Sequence, residues 1–116
     1  MSTGQINRQP LKVLYGGNGT LELYPDRLIV RKRGLMSRFK KGSTADCKAV
    51  YLRDIIGVTF NPGQFQYLGS GCVRFMTADD GVMIVYDRKH DTVAHEIVEY
   101  IAEQTGIKPL TNAESA

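Results

Sequence analysis

The residues of this chain best suited to chemistry are basic. Arg31, Lys32, Arg33, Arg38, Lys40 and Lys41 follow one another closely, and no acidic residue lies between Asp26 and Asp46. Guanidinium groups bind carboxylates and phosphates through two parallel hydrogen bonds, and ammonium groups act as point charges. Such a cluster is suited to an anionic surface. Alternation along a strand places Arg31 and Arg33 on one face, and the loop beyond brings Arg38, Lys40 and Lys41 towards them. Arg31, Arg33, Arg38, Lys40 and Lys41 are therefore the expected partner-binding residues. The competing reading is a solvated loop kept soluble by its charge.

A second candidate is the segment with Phe65, Tyr67 and Leu68, whose apolar side chains suit a partner groove or a membrane interface if the loop is exposed. The plainer reading is a strand start whose aromatics join the core. His90, His95, Cys47 and Cys72 lack the spacing of a metal site, which needs three or four converging ligands. Cys72 alternates with Val73 in a strand pattern and has no base beside it, as a nucleophile would need. Gly16-Gly17-Asn18-Gly19 and Gly69-Ser70-Gly71 lead into strands, whereas a phosphate-cradling loop leads into a helix N-terminus. No catalytic residue, metal ligand or cofactor is expected.

The elements that must position these residues are mostly strands. Leu11 to Tyr15, Thr20 to Tyr24, Arg27 to Arg33, Lys48 to Arg53, Ile55 to Phe60, Cys72 to Thr77 and Val82 to Asp87 read as strands between turn residues. Leu21 with Leu23, Leu28 with Val30, Val50 with Leu52, and Val73 with Phe75 should each share a buried face. Ile56, Val58 and Phe60 are expected together, with Gly57 marking a bend or bulge. From Asp91 the period changes to 3.6. Val93, Ala94, Ile97, Val98, Tyr100 and Ile101 form one broad apolar face of a helix over roughly 91–105. Asp91 or Thr92 is placed to cap it, and Gly106 to stop it.

Composition sets the bounds. The 116 residues fit one domain, the 42% apolar content is ordinary, and the net charge of +3 is mild. No apolar run approaches the ~20 residues of a membrane-spanning helix. Residues 1–10 read as a flexible leader without a secretory signal, and 108–116 as a disordered polar tail. With two cysteines more suited to free thiols than to a disulfide, a cytoplasmic location is the default.

The run Asn18-Gly19-Thr20-Leu21-Glu22-Leu23-Tyr24, the strand from Arg27 to Gly34-Leu35, Tyr51-Leu52-Arg53-Asp54-Ile55 with Val58-Thr59-Phe60, the Gly71 to Met76 strand and the final helix together resemble pleckstrin-homology-like domains, particularly bacterial ones. The resemblance covers roughly residues 12–105. It implies a mainly β fold over 11–107: a partly closed antiparallel barrel capped by an amphipathic helix. In that family, basic residues on the first hairpin and its loop hold phosphoinositides, and other members bind peptides or proteins. The expected function is a non-enzymatic binding or assembly module whose partner is a protein or an acidic membrane surface. A weak nucleic-acid or phosphate-ligand binder is the alternative, with Phe39 as the aromatic within the basic segment. Bacterial relatives form multimers, and Val82 to Tyr86 is apolar on both faces, so self-association through an open sheet edge or the helix flank is expected as well.

Overall fold

A computed structural model describes residues 9–32, 47–63 and 69–111. Four strands come first: β1 (Lys12–Tyr15), β2 (Gly19–Leu23), β3 (Arg27–Lys32) and β4 (Cys47–Tyr51). They pair in chain order as an antiparallel meander. A 3-10 turn, Leu52–Asp54, leads into β5 (Ile55–Asn61), β6 (Ser70–Thr77) and β7 (Val82–Asp87), a second antiparallel meander. A 3-10 turn at Arg88–His90 then opens α1 (Asp91–Thr105).

Period-two alternation decides what is buried. Leu14, Leu21, Leu23, Leu28, Val30 and Val50 face inward from the first sheet, and Val58, Phe60, Val73, Phe75, Ile84 and Tyr86 from the second. The helix adds Ala94, Ile97, Val98 and Ile101 to the same cluster. Among the described residues the expected mainly β fold with one C-terminal helix is the observed one. The partly closed antiparallel arrangement capped by a helix takes the form of a partly open sandwich, because the described strands form two separate ladders.

Hydrogen bonds close one corner of this sandwich. Gly17 N–H donates to the Val85 carbonyl at 2.8 Å. The Asn18 side chain accepts from Val85 N–H and donates to the Met83 carbonyl, both at 3.1 Å. The β1–β2 turn thus imitates a neighbouring strand along the outer edge of β7. Gly16 permits the approach, since a Cβ there would sit 2.5 Å from the Val85 oxygen. Lys48 makes a second link, donating to the Gly81 carbonyl at 3.3 Å from β4 across to the β6–β7 turn.

The helix is tied down at three places. The Asp91 carboxylate accepts Gly63 N–H at 2.8 Å, Glu96 pairs with Lys12 at 2.8 Å, and the Tyr100 hydroxyl donates to the Pro25 carbonyl at 3.0 Å. The capping expectation needs correction. His90 occupies the N-cap position without a side-chain bond, and Asp91 lies within the first turn. Its charge still favours the positive end of the helix dipole, while its oxygen holds Gly63, just beyond the end of β5. Gly106 ends the helix with φ 79°, a left-handed conformation suited to glycine.

Two more expectations change. Ile55, not Ile56, turns inward, because the β5–β6 register shifts between Ile55 and Gly57 and leaves Ile56 66% exposed. Leu110, expected within the polar tail, pairs in parallel with Thr59 of β5. Residues 1–8 and 112–116 lie outside the described residues.

Two outcomes follow. Ile97 is 0% exposed among core residues of the helix and both sheets, so Ile97→Asp should bury an unpaired charge at a cost of several kcal/mol. A domain with ~5–15 kcal/mol of stability should then lose its cooperative urea transition; an unchanged midpoint would refute the packing. Asn18→Ala removes two hydrogen bonds worth about 1 kcal/mol each. It should destabilise the fold by ~1–3 kcal/mol and speed Val85 amide exchange in NMR, whereas unchanged exchange would mean that Asn18 does not hold the β7 edge.

Candidate functional site

The register of the first sheet decides what its basic residues can do. Arg31 lies opposite Thr20, and Ile29 lies opposite Glu22, so Arg31 and Glu22 are diagonal neighbours on the outer face. The Arg31 guanidinium reaches Glu22 through Nε at 3.1 Å and Nη2 at 3.4 Å. The Tyr24 hydroxyl donates to the same carboxylate at 2.9 Å. Glu22 holds the Arg31 pKa above its usual value, chiefly through this hydrogen bond. Arg31 is therefore committed to an internal partner, and its role in an anion site is reduced. Lys32 is exposed at the end of β3. Arg33, Arg38, Lys40 and Lys41 lie outside the described residues, as do Phe65, Tyr67 and Leu68.

A second cluster was not singled out from the sequence. Arg27 lies opposite Tyr51 across β3 and β4, and Arg53 follows Tyr51 by two positions. Both guanidinium groups stack on the Tyr51 ring, at 5.5 Å and 5.0 Å from its centroid. A cation over the face of an aromatic ring is attracted by the ring's negative quadrupole. Arg27 also pairs with Asp26 at 3.0 Å, so the cluster carries both signs. Beside it opens a groove of about 700 Å³, lined by Pro25, Arg53, Ile55, Ile56, Gln104 and Ile107 among others. The spacing Tyr51-x-Arg53 was visible in the sequence, but the third member required the strand register.

The remaining titratable residues are dispersed. Cys47 is exposed on β4 and Cys72 half-buried on β6, and both are free thiols. Burial raises the Cys72 pKa, which lowers its thiolate fraction near neutrality. His95 sits 3.4 Å from Glu99 and against the Phe60 ring, and His90 lies against Tyr15. Among the described residues no three of His, Cys, Asp and Glu group to hold a metal. No described helix is long and apolar enough to cross a membrane. No family model and no curated protein matches the chain.

One buried group supplies a pH test. The Tyr86 side chain is fully buried, and its hydroxyl makes no well-formed hydrogen bond among the described residues. Burial, and after it the Asp91 carboxylate, raises its pKa well above the usual value of 10.0. A raised folded-state pKa means that the contribution to stability is complete below pH 10.0 and declines as pH rises beyond it. Unfolding free energy measured by urea should fall above that pH, with Tyr86 contributing up to ~1.4 kcal/mol per pH unit. Tyr86→Phe should flatten the decline; an unaltered slope would show that Tyr86 ionises normally in the folded protein.

Proposed function

We infer that the chain is a non-enzymatic binding module of pleckstrin-homology-like type, acting in the cytoplasm on an anionic partner through the basic segment between β3 and β4. The partner is an acidic protein surface or an anionic lipid head group. The observation that carries this reading is the unbroken basic run, without an acid between Asp26 and Asp46. Two antiparallel meanders of four and three strands followed by a helix support the architecture that the resemblance implies. Arg31 pairs with Cys47 across β3 and β4, so residues 33–46 join two strands at one end of the first sheet. Exposed Lys32 stands at that same end.

The internal Arg31–Glu22 pair shifts the weight of the reading onto Lys32, Arg33, Arg38, Lys40 and Lys41. Each basic residue near an anionic leaflet contributes about 1 kcal/mol, so several must act together. Sequence-independent attraction of this kind extends to nucleic-acid phosphates, and this is the alternative partner. It draws less support because the net charge is only +3.

The test is binding to vesicles containing phosphatidylserine, with single-stranded oligonucleotide as competitor. Affinity should fall about tenfold or more between ~0.1 and ~1 M salt, as the screening length shrinks from ~10 to ~3 Å. Changing Arg38, Lys40 and Lys41 together to Glu should abolish binding with little change in melting temperature, because exposed charges contribute little to stability. Vesicle binding that resists oligonucleotide supports the lipid reading, whereas preferential capture of the oligonucleotide supports the alternative. Equal binding by the parent and the charge-reversed protein would overturn both.

A further inference from the structure

The groove beside Tyr51 is apolar along most of its lining. Leu52 and Ile55 are buried, Ile56 is 66% exposed, and Pro25 and the partly buried Ile107 complete the surface. The backbone donors around it are already spent inside the chain. Leu52 N–H donates to the Asp26 carbonyl at 3.0 Å, and Ile55 N–H to the Leu52 carbonyl. Gly106 N–H donates to the Ala102 carbonyl at 2.8 Å, and Ile107 N–H to the Thr105 hydroxyl at 3.2 Å. The charges at the rim are spent unequally. Asp26 is held by Arg27 at 3.0 Å. Arg53 lies over the Tyr51 ring at 5.0 Å from its centroid, and among the described residues it has no carboxylate partner. A guanidinium held by a ring keeps its N–H donors for a ligand.

We propose that this groove binds an apolar carboxylate of fatty-acid type, with its head on Arg53 and its hydrocarbon body along Ile55, Ile56 and Ile107. The guanidinium takes a carboxylate through two parallel hydrogen bonds. The body needs none of the spent backbone groups, so plain hydrocarbon fits where a peptide would leave its own polar groups unpaired. At about 700 Å³ the groove falls within the ~300–1,000 Å³ of small-molecule sites. Orientation follows from charge. The wall formed by Gln104 and Thr105 is the last turn of α1, whose C-terminus carries partial negative charge. That end repels an anion, and the head is left at Arg53. The helix end and Asp26 also restrict the ligand to a single charge, which separates this site from the basic segment and its multiply charged partners. The register shift that turns Ile56 outward gives the hydrocarbon a side chain to cover.

Titration of the full chain with decanoate, below the concentration at which it forms micelles, tests the proposal through amide shifts in NMR. Saturable shifts should centre on Arg53, Ile55, Ile56, Gln104 and Ile107. Decanol has the same body without the charge, and acetate has the charge without the body; each should bind about tenfold or more weakly than decanoate. Arg53→Met should weaken decanoate by about the same factor and leave decanol unchanged, so that the preference for the acid disappears. Ile56→Ser should weaken both long-chain probes. The proposal is overturned if decanoate leaves the groove amides unmoved, or if decanol binds the parent as tightly as decanoate does. It is equally overturned if Arg53→Met keeps the preference for the acid. Shifts confined to Lys32, Arg33, Arg38, Lys40 and Lys41 would also overturn it, because decanoate would then be a counter-ion of the basic segment.

Discussion

The structure depends on how α1 covers what two sheets cannot cover for each other. Each sheet buries one apolar face, and among the described residues the two ladders are not joined into a closed wall. A gap between them would expose the inward residues of both, and burial of apolar surface is the main force that holds a domain of this size together. Ala94, Ile97, Val98 and Ile101 fill that position as one stripe, each buried. The helix also reaches both sheets through polar groups, to Lys12 and the β2–β3 turn on one side and to Gly63 on the other. With the helix removed, neither meander retains a complete core.

The surface follows from the same arrangement. An incompletely closed sandwich has strand edges, and edges invite unwanted pairing. Here two of them are occupied by short pieces of the same chain. Gly17 and Asn18 hold the outer edge of β7 at Met83 and Val85, and Leu110 holds the edge of β5. The two covers differ in character. The first inserts an asparagine side chain into the strand pattern and relies on a glycine pressed against Val85. The second is one residue with an exposed side chain. Self-association through the β7 edge would have to displace the firmer cover, while the apolar outward side chains Met83 and Val85 remain available on the sheet face.

Much of the frame was legible in the sequence because it rests on local periodicity. Leu21, Leu23, Leu28, Val30, Val73 and Phe75 alternate without interruption, and the helix over 91–105 combines a broad apolar stripe with a glycine stop. Periodicity failed where the backbone adds a residue. At Ile56 the β5–β6 register shifts, and counting by twos selects the wrong isoleucine. The capping carboxylate of Asp91 was diverted to Gly63, a residue far away in sequence. Contacts of that kind were beyond reach: Asn18 meets Met83 across 65 positions, and Leu110 pairs through its backbone, which leaves no mark on side-chain pattern. For the candidate site, the basic run was plain, but its first member was not free. Glu22 lies nine positions from Arg31 in the chain, and only the hairpin register makes the two neighbours.

The claim that α1 unites the two sheets is tested most directly by native-state hydrogen exchange at increasing urea. Cooperative units open with a common free energy and a common dependence on denaturant. If the helix completes a shared core, the slowest amides of β2, β6 and α1 should merge into one opening whose free energy equals that of global unfolding. Helix amides that open at markedly lower free energy, while β2 and β6 keep full protection, would contradict the account, because the sheets would then be stable without the helix between them.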